Sequence, residues 1–372
     1  MNSFEYGDEK ISGKELMIAV PSMVISVGAL SLPRDIAVET KSSDGWIALV
    51  IAGVFCILII WMMAKIAASF PHQSFFSYAS IIVSKPVAVV LTFIFAILFI
   101  SLGAFNIRVL GDTSQQYLFN QTPVEVVTLS FLLVVVYAVA GSRAALFRLN
   151  MLFFPIIIGI SLFVILFNLK WVDWTNLFPV FQTDFQGHLR GIKKSAFAYM
   201  GFGIVLFYTA YVDRPKNTPK LAMLGMLIPV VLYVLVYLIC LLVFSHAATS
   251  HLLFPTIDLA KRIELPGGIL ERVEAIFFII FTMAVFTTTA MALDVAILAL
   301  QSIFKRLKKM QLIFMLSPLL YFIALSPQNI GQIHMFGDLL GNYLVSFTFL
   351  TTIVLFIIAK IRGVKPNDQK TT

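Results

Sequence analysis

Ten apolar runs, each about as long as the roughly 20 residues needed to cross a bilayer's hydrocarbon, recur along this chain with short polar punctuation between them. A helix that is apolar on every side must be covered by lipid or by other such helices, so these runs exclude an ordinary water-soluble core. The approximate spans are 15–37, 46–69, 86–109, 123–141, 146–168, 194–213, 219–245, 270–300, 310–326 and 336–360. The chain reads as an all-α polytopic membrane protein.

Composition agrees, with 59% hydrophobic residues, 12% charged and a mean hydropathy of +0.94, far from soluble averages. The longest connections, 169–193 and 246–269, carry too few apolar residues to bury a core of their own. One transmembrane domain over residues 1–372 is therefore expected.

Basic residues near span ends are retained on the cytoplasmic side. With the N-terminus inside, Lys10, Lys14, Lys65, Lys85, Arg143, Arg148, Arg214, Lys216, Lys220, Lys305, Arg306, Lys308, Lys309, Lys360, Arg362, Lys365 and Lys370 all fall on inner segments, a majority of the 27 Lys and Arg residues. Both termini are thus expected in the cytoplasm. The net charge of +8 follows from this topology and suits anionic lipid. Its scatter over separate segments gives no stripe that could track a phosphate backbone, which excludes nucleic-acid binding. The N-terminus "MNSFEYGDEKISGKE" lacks the basic region and cleavage site of a secretory signal, so the first span is expected to be retained.

Cys56 and Cys240 both lie in apolar spans and read as small packing residues, while His72, His188, His246, His251 and His334 are dispersed without metal-ligand spacing. No cofactor is expected. No nucleophile motif, phosphate-binding loop or catalytic carboxylate pair appears, which counts against a membrane enzyme or a primary pump.

The first span is interrupted at "SVGALSLPR", where Gly28, Pro33 and Arg34 all oppose a continuous helix. Ten spans divide into two sets of five, and an odd number forces the halves into opposite orientations, with repeats at about 12–170 and 190–362. The sixth span, "SAFAYMGFGIVLFYTAYVDRP", carries Gly201 and Gly203 where the first has Gly28, and Pro215 follows as Pro33 does. Paired interruptions point to a midplane site, because unwound backbone frees N–H and C=O groups and half-helix dipoles favour a ligand's charged ends. The plainer reading is that these glycines only let helices approach closely.

Further stretches carry a family resemblance: "VGALSLPRD", "FPHQSFFSYA", "YLFNQTPVEVV", "GSRAALFRLNMLFFPIII", "WTNLFPVF" and, most specific, "FPTIDLAKRIELPGGILERVEAIF". Over nearly its whole length the chain resembles the B subunits of spore germination receptors, within the amino acid–polyamine–organocation transporter superfamily. The resemblance implies a LeuT-like five-plus-five inverted repeat with broken helices 1 and 6, and a nutrient site between them. It also implies germinant sensing in the inner membrane of the spore, with a membrane-embedded A subunit and a C-subunit lipoprotein as partners. The family pattern often has a Glu after the glycine of the sixth helix and another after the Asn of the fifth. Here Gly203 and Met151 stand near those places, which favours a neutral or zwitterionic ligand bound through backbone atoms over proton coupling.

The expected ligand-binding set is Ser26, Val27, Gly28, Ala29 and Leu30 at the first break, and Tyr199, Gly201, Phe202 and Gly203 at the second. In a fold of this type the third and eighth helices flank the broken pair. That brings in Phe99, Ser101, Gly103 and Asn106 from one, and Thr287, Thr288 and Thr289 from the other, of which Ser101, Asn106, Thr287 and Thr288 are the chosen candidates. A threonine in a membrane helix also commonly bonds its own backbone one turn back. Asp294 is the clearest intramembrane charge, read either as an ion or proton site or as the partner of a basic neighbour. Arg34 and Arg108, near outer ends of their spans, are expected to snorkel or to pair with acids such as Asp35 and Asp112, with Arg34 also shaping the outer mouth. Glu271 and Glu274 share a face near a helix N-terminus, as an outer gate or partner contact. Two functions of different class fit: a ligand-sensing receptor subunit, or a secondary amino acid transporter coupled to protons or sodium. The motif at 254–277 favours the first.

Overall fold

The computed structural model describes residues 9–118, 121–263 and 273–363. Among them the chain is helical almost throughout. Six helices are long and apolar enough to span a membrane, seven when a bent first pair counts as one span, and three further apolar helices are shorter.

The first span is the pair α1 (Gly13–Val24) and α2 (Gly28–Glu39), bent by 55° at the break. Ser12 and Glu15 cap the start of α1 reciprocally: the Glu15 N–H donates to Ser12 Oγ at 3.2 Å and the Ser12 N–H donates to the Glu15 carboxylate at 2.6 Å. The second to fifth spans are α3 (Trp46–Ala68), α5 (Lys85–Tyr117), α6 (Val124–Ala140) and α7 (Arg143–Asn168), with a short α4 (Phe75–Ile82) between the second and third.

The sixth span is α8 (Phe185–Ala198) and α9 (Val205–Tyr208), joined through Tyr199–Ile204. It begins well before the expected residue 194, because its first turns are polar. Arg190 pairs with Glu39 at 3.1 Å and Lys194 with Asp338 at 2.7 Å, so this half-helix is held by ion pairs where an apolar run would be held by lipid. The seventh to tenth spans are α10 (Thr218–His251), α12 (Val273–Ile303), α13 (Lys309–Leu325) and α14 (Ile330–Ile361). The apolar part of α10 ends where Ser245 turns to φ 72°, and the following connection holds α11 (Pro255–Lys261).

The broken helices sit at the centre. α1 packs on α10 and α7, α2 on α10 and α8, and α5 packs most extensively on α12. Cys56 and Cys240 are free and fully buried. At the end of the bundle that carries the 305–309 basic cluster, Ile11 forms a parallel bridge with Val212. There the Ile11 N–H donates to the Tyr211 carbonyl at 3.0 Å and the Asp213 N–H to the Ile11 carbonyl at 3.0 Å, so the start of the first span is laced to the end of the sixth.

Candidate functional site at the two helix breaks

The first break lies at Ile25–Val27, just ahead of Gly28, and Pro33 and Arg34 fall inside the second half-helix. The break leaves α1's last carbonyls without helical partners, and in a bilayer such groups need others. Side chains from two other helices supply them: Thr288 of α12 donates to the Ser22 carbonyl at 3.0 Å, and Tyr233 of α10 donates to the Val24 carbonyl at 2.8 Å. Pro33 has its own part. Lacking an N–H, it frees the carbonyl of Ala29 four residues back, and Thr256 of α11 donates to that oxygen at 2.8 Å. The "FPT" of the long sequence motif is thus tied to the first break by one hydroxyl.

The second break turns on Gly201, whose φ of +100° is a left-handed conformation. A Cβ there would stand 3.1 Å from Met23 Cγ, and a Cβ on Gly28 would stand 3.2 Å from the Ala198 Cα. The breaks therefore abut directly, with Gly28 allowing the close approach. Tyr199 stacks on Tyr233 with ring centroids 5.4 Å apart and donates to the Leu49 carbonyl at 3.3 Å. Gly203 faces Thr348 and Phe99, beside a buried cluster in which the rings of Phe95, Phe99 and Phe207 meet. Val27, Leu30 and Phe202 are buried in the same core.

The structure thus brings together the candidates at residues 26–30, 199–203 and 287–288. The Oγ1 atoms of Thr287 and Thr288 also lie 2.9 and 3.1 Å from the Ala284 carbonyl, so each single hydroxyl proton is shared between a local and a cross-helix acceptor. Their oxygens, with the carbonyls of Ser22 and Met23, form a cluster of oxygen atoms at the first break. No group of three His, Cys, Asp or Glu residues able to hold a metal exists among the described residues. Ser101 is half-buried, and Asn106 is buried with its amide nitrogen unpartnered; neither hydrogen-bonds to the breaks.

On the side of the first break away from α8, a small, largely apolar cavity lies among α7, α10, α11 and α12, lined by Ser26, Ala29 and Leu30 together with Tyr233, Phe281 and Ala284. Ser26 Oγ, on a residue only 6% exposed, has no hydrogen-bond partner.

Asp294 is fully buried and holds its own cation. Arg143 Nε donates to it at 2.9 Å, Tyr208 OH at 3.0 Å, and Lys309 Nζ stands 3.9 Å away. Arg143 also reaches Glu9 at 3.5 Å and lies over the Tyr211 ring. This cluster joins the chain ahead of α1 to the fifth, sixth, eighth and ninth spans. Sequence reading counted Arg143 and Lys309 as topological charges; nothing in their local spacing points to Asp294.

Of the two arrangements expected for Arg34 and Arg108, snorkelling or pairing with acids, no direct ion pair with Asp35 or Asp112 is formed. Asp35 accepts from Ser31 at 2.9 Å and Asp112 from Gln116 at 2.9 Å; residues 34 and 35 diverge around the helix, whereas Arg108 lies one turn from Asp112 without bonding to it. The Nε atoms of both arginines lack partners. Glu271 lies outside the described residues, and of Glu274 only its place in α12 is described.

Two broken helices meeting at their breaks inside a helical bundle define a membrane protein of the LeuT-like transporter fold. The structure aligns with the crystal structure of MhsT in complex with L-phenylalanine at a TM-score of 0.70 and 15% identity, covering 96% of this chain and 90% of that one. It aligns with the nucleobase-cation symporter Mhp1, in a closed conformation with bromovinylhydantoin bound, at 0.68 and 12% identity, covering 90% and 76%. The chain belongs to the spore permease family of spore germination proteins, whose sequence profile matches residues 10–333. It is 38% identical to the spore germination protein GerLB of Bacillus cereus over 97% of both chains. It is 27% identical to spore germination protein A2 of Bacillus subtilis (strain 168), over 93% of this chain and 94% of that one.

Proposed function

We propose that this chain is the nutrient-sensing B subunit of a spore germination receptor. The observation that carries the reading is the pair of facing breaks, with the freed carbonyls of the first held by hydroxyls of Thr288, Tyr233 and Thr256 from three separate helices. A small neutral or zwitterionic nutrient, such as an amino acid, binds at residues 26–30 and 199–203 and competes for those neighbouring groups. It favours whichever arrangement of the bundle binds it better, so its differential affinity sets how far the equilibrium moves. The Asp294 cluster lies at the cytoplasmic end, both termini are inside, and the membrane is the inner membrane of the spore. A membrane-embedded A subunit and a C-subunit lipoprotein read the change.

Dipicolinate release tests this, using spores with the gene deleted and then restored, across amino acids, sugars and nucleosides. Selective loss that restoration reverses supports the receptor and names its ligand class. Unchanged release together with labelled amino acid uptake by proteoliposomes replaces it with a secondary transporter.

A further inference from the structure

A wide groove opens between α6 and α7 with α12 as its floor. Its floor and upper walls are apolar and aromatic: the Phe286 ring meets Phe131 at 6.5 Å and Phe153 at 6.2 Å. Tyr137 stands on its rim, 83% exposed. Toward the basic end the character changes. Arg148, an exposed residue, lines the groove, five residues beyond Arg143 and so about 7.5 Å along the span. At the foot, Lys309 Nζ donates to the Gly141 carbonyl at 2.7 Å, and exposed Lys305, Arg306 and Lys308 lie in the adjoining turn.

We propose that this groove binds an anionic phospholipid of the leaflet at the basic end. One acyl chain lies between α6 and α7 against Phe286, and the phosphate sits beside Arg148 and the Lys309 turn. An apolar trough with cations at one end only matches an amphiphile with an anionic head. A partner helix would also fit near the small residues Gly141 and Ala145, but it does not account for charge confined to one end. Lys309 belongs both to the groove's foot and to the Asp294 cluster. Occupancy of the groove is therefore coupled to the contacts that tie the chain ahead of α1 to the fifth, sixth, eighth and ninth spans.

Native mass spectrometry of the full-length protein, titrated with phosphatidylglycerol or phosphatidylethanolamine of matched chains, reads the site. The wild type should retain phosphatidylglycerol preferentially. Arg148→Gln should weaken it roughly fivefold, the effect of about one basic group near a membrane surface, while Arg148→Lys keeps most of the preference. Ala145→Trp, which fills the groove from an exposed position, should reduce retention of both lipids, with unchanged melting temperatures showing that the variants fold. Equal retention of the two lipids, or a preference that survives Arg148→Gln, overturns the proposal. So does a photo-reactive residue at position 137 that couples to a polypeptide in native membranes; coupling to lipid supports it.

Discussion

Arg143 Nε lies 2.9 Å from the carboxylate of Asp294, 151 residues away in sequence, and both side chains are almost entirely buried. Breaking such a pair by removing one partner leaves an uncompensated buried charge, at a cost of about 3–5 kcal/mol. Asp294→Asn or Arg143→Gln should therefore lower the melting temperature of the purified protein sharply. The double replacement Arg143→Met with Asp294→Leu should recover much of the loss, because it removes both charges together. A double variant as unstable as the sum of the singles would show that the two residues do not act as a pair.

Thr288→Val removes a hydroxyl that serves the Ser22 carbonyl and substitutes a side chain of nearly the same shape. The cost expected for an interhelical hydrogen bond in a membrane is about 1 kcal/mol, read as a small drop in melting temperature that Thr288→Ser largely restores. The nutrient response should shift more than the stability, because the freed carbonyl then competes for other donors.

Gly201→Ala meets both a φ of +100° and Met23 at 3.1 Å. Strain of about 1–3 kcal/mol is expected for a non-glycine residue held there. Gly28 has an ordinary helical backbone, but a Cβ there would stand 3.2 Å from the Ala198 Cα, so Gly28→Ala should cost a little stability, whereas Gly28→Leu must push α2 away from the Ala198 backbone. Loss of nutrient response in Gly28→Leu at normal protein levels is the expected result. An unchanged nutrient profile in both Gly28→Leu and Gly201→Ala would remove the breaks from the ligand site.

Ser26→Ala takes away a buried hydroxyl that has no partner in an apolar cavity. Since nothing is left unpaired by the change, stability should stay level or rise slightly. A reduced germinant response in this same variant would assign the hydroxyl to the ligand; a marked drop in melting temperature would contradict the geometry described.

Asp258 lies outside the spans, in α11, where burial raises its carboxyl above the ordinary value of 3.8 even though Lys261 Nζ stands 3.4 Å away. The folded chain then holds this proton more tightly than the unfolded chain. Its contribution to stability falls as pH rises from 3.8 through the folded value. Asp258→Asn should flatten that decline in melting curves taken from pH 4 to 7, and an unaltered slope would exclude Asp258 as its source.

The spans were legible in the sequence because lipid imposes a one-dimensional rule: about 20 apolar residues per crossing. That rule missed the start of α8, whose Arg190 and Lys194 are held by Glu39 and Asp338, residues far away in the chain. Glycine and proline marked both breaks, since each acts on its own backbone. Proline's consequence was not visible locally: Pro33 frees the Ala29 carbonyl, but that Thr256 answers it depends on where α11 lands.

By itself, then, the sequence determined the membrane class, the order of the helices and the positions at which two of them break, all of which follow from local hydropathy and backbone chemistry. Only the tertiary structure decided which groups satisfy one another: Thr288 with Ser22, Tyr233 with Val24, and Arg143 with Asp294. Hydrogen bonds and ion pairs act over about 3 Å, and in this chain those distances are closed between residues that sequence separation holds far apart.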